Sequence, residues 1–81
     1  MDQIQVKAAL EQIPGVLDVH DLHIWSITSG MDSLSCHLLV QEGEDGQNIL
    51  QEAIHRLERG FGIRHSTIQV ETERIKHSEL H

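Results

Sequence analysis

The run Val19-His20-Asp21-Leu22-His23-Ile24-Trp25-Ser26-Ile27 decides how this chain is to be read. It is strand-like in composition, yet it does not keep a single period. Leu17 and Val19 read as inward, and Leu22, Ile24 and Ser26 do so as well only if one extra residue is inserted near His20 and Asp21. The spacing therefore predicts a β-bulge there. Such a bulge turns His20, His23, Trp25 and Ile27 to the face opposite the core. Imidazole and carboxylate together suit a borderline divalent cation, so metal binding is the first chemistry to consider.

Working outward, Asp2 can cap a first helix in which Val6, Ala9, Leu10 and Ile13 form one apolar stripe, stopped by Pro14-Gly15. Strand character from Val16 to Thr28 is followed by Ser29-Gly30-Met31-Asp32, which turns the chain into a second strand ending near Gln41. Asp45 can cap a second helix in which Leu50, Ala53, Ile54, Leu57 and Phe61 repeat with helical period, and Gly60 and Gly62 end it. A third strand runs from about Ser66 to Thr72. The order α-β-β-α-β predicts an α+β open-faced sandwich, two helices on one face of a three-stranded mixed sheet. Residues 1–81 form one domain, with 73–81 expected to be a frayed, polar tail.

Parity assigns the faces. Leu34, Cys36, Leu38 and Val40 point toward the helices, as do Ile68 and Val70, while Ser35, His37, Leu39, Gln41, Thr67, Gln69 and Glu71 point away. The uncovered face then carries Trp25, Ile27 and Leu39 together, an apolar patch that predicts self-association, most simply as a twofold homodimer.

Composition narrows the partners. The formal net charge is −7, and residues 1–45 hold Asp2, Glu11, Asp18, Asp21, Asp32, Glu42, Glu44 and Asp45 against Lys7 alone. A field of that sign repels phosphate, which argues against nucleic acid and anionic lipid as partners. No apolar run approaches the roughly 20 residues needed to cross a bilayer, and Met1-Asp2-Gln3 does not open a signal peptide, so the chain is expected to be cytosolic without direct membrane insertion. Cys36 is the only cysteine, so any metal must rely on His and carboxylate.

Of seven histidines, His55 lies on the polar face of the second helix and His77 and His81 lie in the tail, where solvation accounts for them. His20, His23, His37 and His65, taken singly, suit ordinary surface positions. Their convergence with Glu71 is what suggests a site. Catalysis is not expected: there is no nucleophile elbow and no Gly-rich phosphate loop, and Cys36 is assigned to the core.

Ile13-Pro14-Gly15-Val16, then Val19 to Ile27, then Ser35-Cys36-His37-Leu38, then His65-Ser66-Thr67-Ile68-Gln69-Val70-Glu71, resemble the C-terminal cytoplasmic domain of the cation diffusion facilitator transporters, in particular the cobalt-zinc-cadmium resistance branch. The resemblance covers nearly the whole chain. It implies a metallochaperone-like (ferredoxin-like) fold, a V-shaped homodimer on the cytoplasmic side of the inner membrane, joined to a transmembrane domain absent from this chain, and a regulatory part in zinc efflux by proton antiport. By position it makes His20, His37, His65 and Glu71 ligands of regulatory Zn²⁺, with Cd²⁺ or Co²⁺ as alternatives. Asp21, His23, His77, His81 or a residue of a second subunit could complete the shell. Some members carry His and Asp on the third strand where this chain has Gln69 and Glu71. Two other readings are a purely structural dimerisation domain with incidental metal affinity and a soluble metal chaperone.

Overall fold

The computed structural model describes residues 2–72, so the expectations for Glu73, His77, His81 and the frayed tail lie outside the described residues. The elements are α1 (Gln3–Glu11), β1 (Val16–Thr28), β2 (Met31–Val40), α2 (Gly46–Phe61) and β3 (His65–Thr72). The sheet order is β1-β2-β3, with β1 antiparallel and β3 parallel to the central β2. A parallel neighbour needs a crossover, and α2 supplies it. This is the α-β-β-α-β arrangement and mixed sheet that the sequence predicts.

Both helices start where a side chain can satisfy their first free N–H groups. Asp2 accepts from the Ile4 N–H at 3.0 Å, and Asp45 accepts from those of Gln47 and Asn48 at 3.1 and 3.3 Å. Gly62 ends α2 in the left-handed conformation (φ 70°), where a side chain would be strained. Gly15 is held by its left-handed φ of 94°, since the Glu44 side chain that a Cβ would approach can swing away.

The core lies between the helices and one sheet face. Val6, Leu10 and Ile13 face Val19, Leu22, Leu34, Cys36, Leu38 and Val40, with Ile49, Ala53, Leu57 and Ile63 closing the other side. Arg56 binds the two helices together, donating from Nη1 to the Ala9 carbonyl at 3.3 Å and from Nε to Glu52 at 2.8 Å.

Four expectations are corrected. β1 spends thirteen residues against the ten of β2, so it is bulged three times rather than once: between Val16 and Asp18, between His20 and His23, and between Ser26 and Thr28. The first of these expels Leu17, which is 47% exposed instead of inward. Ser26 is exposed too, where its hydroxyl donates to Asp32 at 2.7 Å. In α2 the buried stripe is Ile49, Ala53 and Leu57; Leu50 and Phe61 are only partly buried, and Ile54 is exposed. Either stripe fits the helical period, and the one with a residue every four is the one that meets the sheet.

That choice is measurable. Leu57→Ala should cost about 2–5 kcal/mol of stability by opening a cavity, whereas Ile54→Ala should stay within about 0.5 kcal/mol. Urea unfolding that ranks Ile54 above Leu57 would place the wrong face of α2 on the core.

Candidate metal centre

The central bulge builds the site. His20 pairs with His37, but the next pair is His23 with Ser35, so β1 carries one residue more than β2 over that step. Asp21 absorbs the mismatch with φ 54°, the one non-glycine among the described residues in the left-handed region. Asp accepts that conformation better than most side chains, at a cost of order 1–2 kcal/mol. Because the bulge shifts parity by one, Asp18 and His20 before it and Asp21 and His23 after it can share the outer face.

On that face His20 from β1, His37 from β2 and Glu71 from β3 converge, with one ligand atom of each within 4.8 Å of the others. Glu71 Oε2 lies 2.8 Å from His37 Nδ1, and its Oε1 lies 3.4 Å from His20 Nε2. The Gln69 amide donates to Oε2 at 3.0 Å. The two rings sit 5.1 Å apart, tilted by 50°. Glu71 is only 6% exposed, although it lies on the side of the sheet away from the helices. A carboxylate so buried must be compensated by nearby donors or a cation, and two imidazoles stand beside it. Donor atoms on a tetrahedral zinc are about 3.4 Å apart, given bonds of about 2.0–2.2 Å. The 3.4 Å between His20 Nε2 and Glu71 Oε1 already has that spacing, while the 2.8 Å between His37 Nδ1 and Glu71 Oε2 would have to lengthen for the three to serve one ion.

The remaining candidates differ in how near they stand. Asp21 Oδ2 is 3.5 Å from His37 Nε2, while Oδ1 is 3.1 Å from His23 Nε2. That hydrogen bond to His23, helped by the charge of the neighbouring imidazoles when protonated, holds the Asp21 carboxyl below its usual range. His23 thus adjoins the cluster through Asp21. His65 does not: it opens β3 opposite Ser33, six positions before Glu71, or about 20 Å along a strand. His55 is exposed on α2. Asp18 was not among the residues singled out from sequence, yet its Oδ2 lies 3.2 Å from His20 Nδ1. The signal for it was present in the Asp-Val-His spacing, which puts both side chains on one face of a strand.

Comparison with known proteins shows the family and the fold. The family description "Cation efflux protein, cytoplasmic domain" matches residues 1–73. A cadmium, cobalt and zinc/H(+)-K(+) antiporter of Bacillus subtilis is 44% identical over 80 residues, 95% of this chain and 25% of the relative. A probable zinc transporter of Dictyostelium discoideum is 45% identical over 76 residues, 94% of this chain and 14% of that protein. The chain therefore spans a quarter or less of these relatives. The metal-bound C-terminal domain of the CzcD transporter from Cuprividus metallidurans has the same fold, with a TM-score of 0.82 and 38% identity over 88% of this chain and 99% of that one. Among the described residues no helix is long and apolar enough to cross a membrane.

Cys36 stands apart from the cluster's chemistry. It is 1% exposed, and burial pushes its thiol from 9.0 up to about 11. The thiolate is the reactive form, so labelling by a thiol reagent at neutral pH should be at least about 100-fold slower than in the urea-unfolded chain. The neutral thiol is favoured by the fold, so its contribution to stability is complete below the unfolded value and is lost as pH rises toward about 11. Equal labelling rates in the folded and unfolded chain would remove Cys36 from the core.

Proposed function

The chain belongs to the cation efflux family as its cytoplasmic domain, and from that premise we propose that it is the metal-sensing and dimerisation domain of a zinc or other divalent-cation efflux transporter. The observation that carries this reading is the buried Glu71 carboxylate lying between the imidazoles of His20 and His37. Two nitrogens and one carboxylate oxygen suit Zn²⁺, Cd²⁺ or Co²⁺, whereas Mg²⁺ and Ca²⁺ prefer oxygen shells. We take Zn²⁺ as the working ion, in keeping with the names of the relatives. His20, His37 and Glu71 supply three ligands. Asp21 and His23 are near enough to serve the same site, and His65 reaches a shell only from a second copy of the chain.

The dimer involves the same face. Trp25 and Ile27 are 47% and 52% exposed, and a second copy is the economical cover for them. Two subunits held side by side bring their acidic first halves together, and repulsion keeps the arms apart until a divalent ion offsets it. For zinc to close the dimer it must bind the closed form more tightly than the open one. Closure would then be passed to the membrane part of the transporter, so that cytosolic zinc sets efflux.

Three measurements test this. His37→Ala should weaken zinc binding in calorimetric titration by more than the 10- to 100-fold typical of lost outer-shell partners, while His55→Ala leaves it unchanged. Acidification should release the ion, because protonated imidazole cannot ligate. Equal titrations for the two variants would dispose of the site. In native mass spectrometry the chain should be a dimer, and the distance between spin labels on Gln51 of each subunit should shorten or narrow when zinc saturates it. A distribution that zinc does not move would leave a dimer with a static metal.

A further inference from the structure

The outer face holds more than three ligands. It carries an unbroken alternation of carboxylates and imidazoles that runs across the sheet: Asp18 to His20 at 3.2 Å, His20 to Glu71 at 3.4 Å, Glu71 to His37 at 2.8 Å, His37 to Asp21 at 3.5 Å, and Asp21 to His23 at 3.1 Å. In this order each of the two candidate ligand rings uses both nitrogens. The nitrogen toward Glu71 is Nε2 in His20 and Nδ1 in His37. The opposite nitrogen faces Asp18 in the first ring and Asp21 in the second.

We infer that Asp18 and Asp21 are positioning residues for the metal centre, each holding the far N–H of one ligand imidazole so that His20 offers Nε2 and His37 offers Nδ1 to the ion. The inference rests on the metal-binding reading above and deepens it. A neutral imidazole carries one proton on two nitrogens, and only the bare nitrogen can ligate. An aspartate behind the ring draws the proton to the far side, fixes the ring's rotation and raises the basicity of the ligating nitrogen. For His37 the choice is a real one. Without Asp21, the 2.8 Å approach of Glu71 to Nδ1 would favour the proton on the very nitrogen the ion needs.

The backbone accounts for why these acids and no others stand there. Asp18 comes just after the first bulge of β1 and shares a face with His20 two residues on. Asp21 occupies the second bulge, where the parity shift and the left-handed φ of 54° bring its Oδ2 to 3.5 Å from Nε2 of His37 on the neighbouring strand. A strained residue kept at a bulge invites a functional reason, and aiming this carboxylate is one. His23 in turn holds the second oxygen of Asp21.

The test uses the whole chain with Asp18→Asn, Asp21→Asn and the double variant, beside Glu11→Gln, which removes the same charge from α1 away from the face. Calorimetric titration with Zn²⁺ should show each single variant about 10-fold or more weaker, the double variant weaker still, and Glu11→Gln within about threefold of the parent. Nitrogen-15 NMR of the zinc-loaded parent should find the proton on Nδ1 of His20 and on Nε2 of His37. In Asp21→Asn the His37 signals should show a mixture, while unfolding midpoints without metal remain close to the parent's. Single variants that bind like Glu11→Gln, or rings protonated on the opposite nitrogens, would overturn the inference while leaving the site itself intact. A parent chain that binds no zinc would overturn both.

Discussion

Thirteen residues of β1 lie against ten of β2, and how the three extra residues are absorbed determines what the sheet's outer face can do. In a regular strand, parity ties each residue to one face for its whole length. A bulge resets it. The reset between His20 and His23 keeps Val19 and Leu22 in the core although they are an odd number of residues apart, and it frees Asp18, His20, Asp21 and His23 for the other side. Deleting a residue there would force a choice between burying histidines and exposing Leu22 and Ile24. The same segment thus supplies one wall of the core and one edge of the polar cluster.

Asp18 with His20, Glu71 with His37 and Asp21 with His23 are hydrogen-bonded pairs in their own right, so their existence alone does not demand an ion. What tips the balance is the distribution of charge. Asp18, Asp21 and Glu71 place three carboxylates on one small face, separated only by imidazoles. Hydrogen bonds from neutral rings satisfy oxygens without cancelling charge, and for the buried Glu71 that difference is large. A divalent cation cancels charge and uses the same atoms.

The architecture is legible in the sequence because its signals agree with one another. Asp2 and Asp45 before apolar stripes, Pro14-Gly15 and Gly62 after them, and strict alternation in β2 all specify the same elements. The central bulge is legible because a period-two pattern that breaks once, with apolar residues on both sides of the break, needs an inserted residue to keep them on one face. The bulges at the ends of β1 are not. Near Leu17 and Ile27 there are too few flanking residues to show a phase shift, so Leu17 reads as core although the strand expels it. In α2, Ile49, Leu50 and Ile54 are interchangeable by chemistry, and only the position of the sheet decides between them. Within the cluster, parity finds His20, His37 and Glu71 and puts Asp18 on the face of His20, but it does not say that an exposed acid meets that ring. His65 shows the converse limit. A histidine at the start of β3 is near Glu71 in sequence but lies at the opposite end of a strand.

Because its three central residues come from three different strands, metal binding at the cluster would be linked to the integrity of the sheet. β1 and β3 do not touch as neighbours; β2 lies between them, and two strand spacings amount to about 10 Å. An ion held by His20, His37 and Glu71 would brace both edges to the centre near the end of β3. Anything that binds the folded state alone stabilises it by about 2.7 kcal/mol at a hundred times its dissociation constant. Against the roughly 5–15 kcal/mol that holds an ordinary domain together, that is a substantial share, and more so for a chain of 81 residues with a small core. Such a brace would lie on the face where Trp25 is exposed. Stiffening that face would fix the surface a second subunit meets, which is how a local binding event on one sheet could change the relation between two copies.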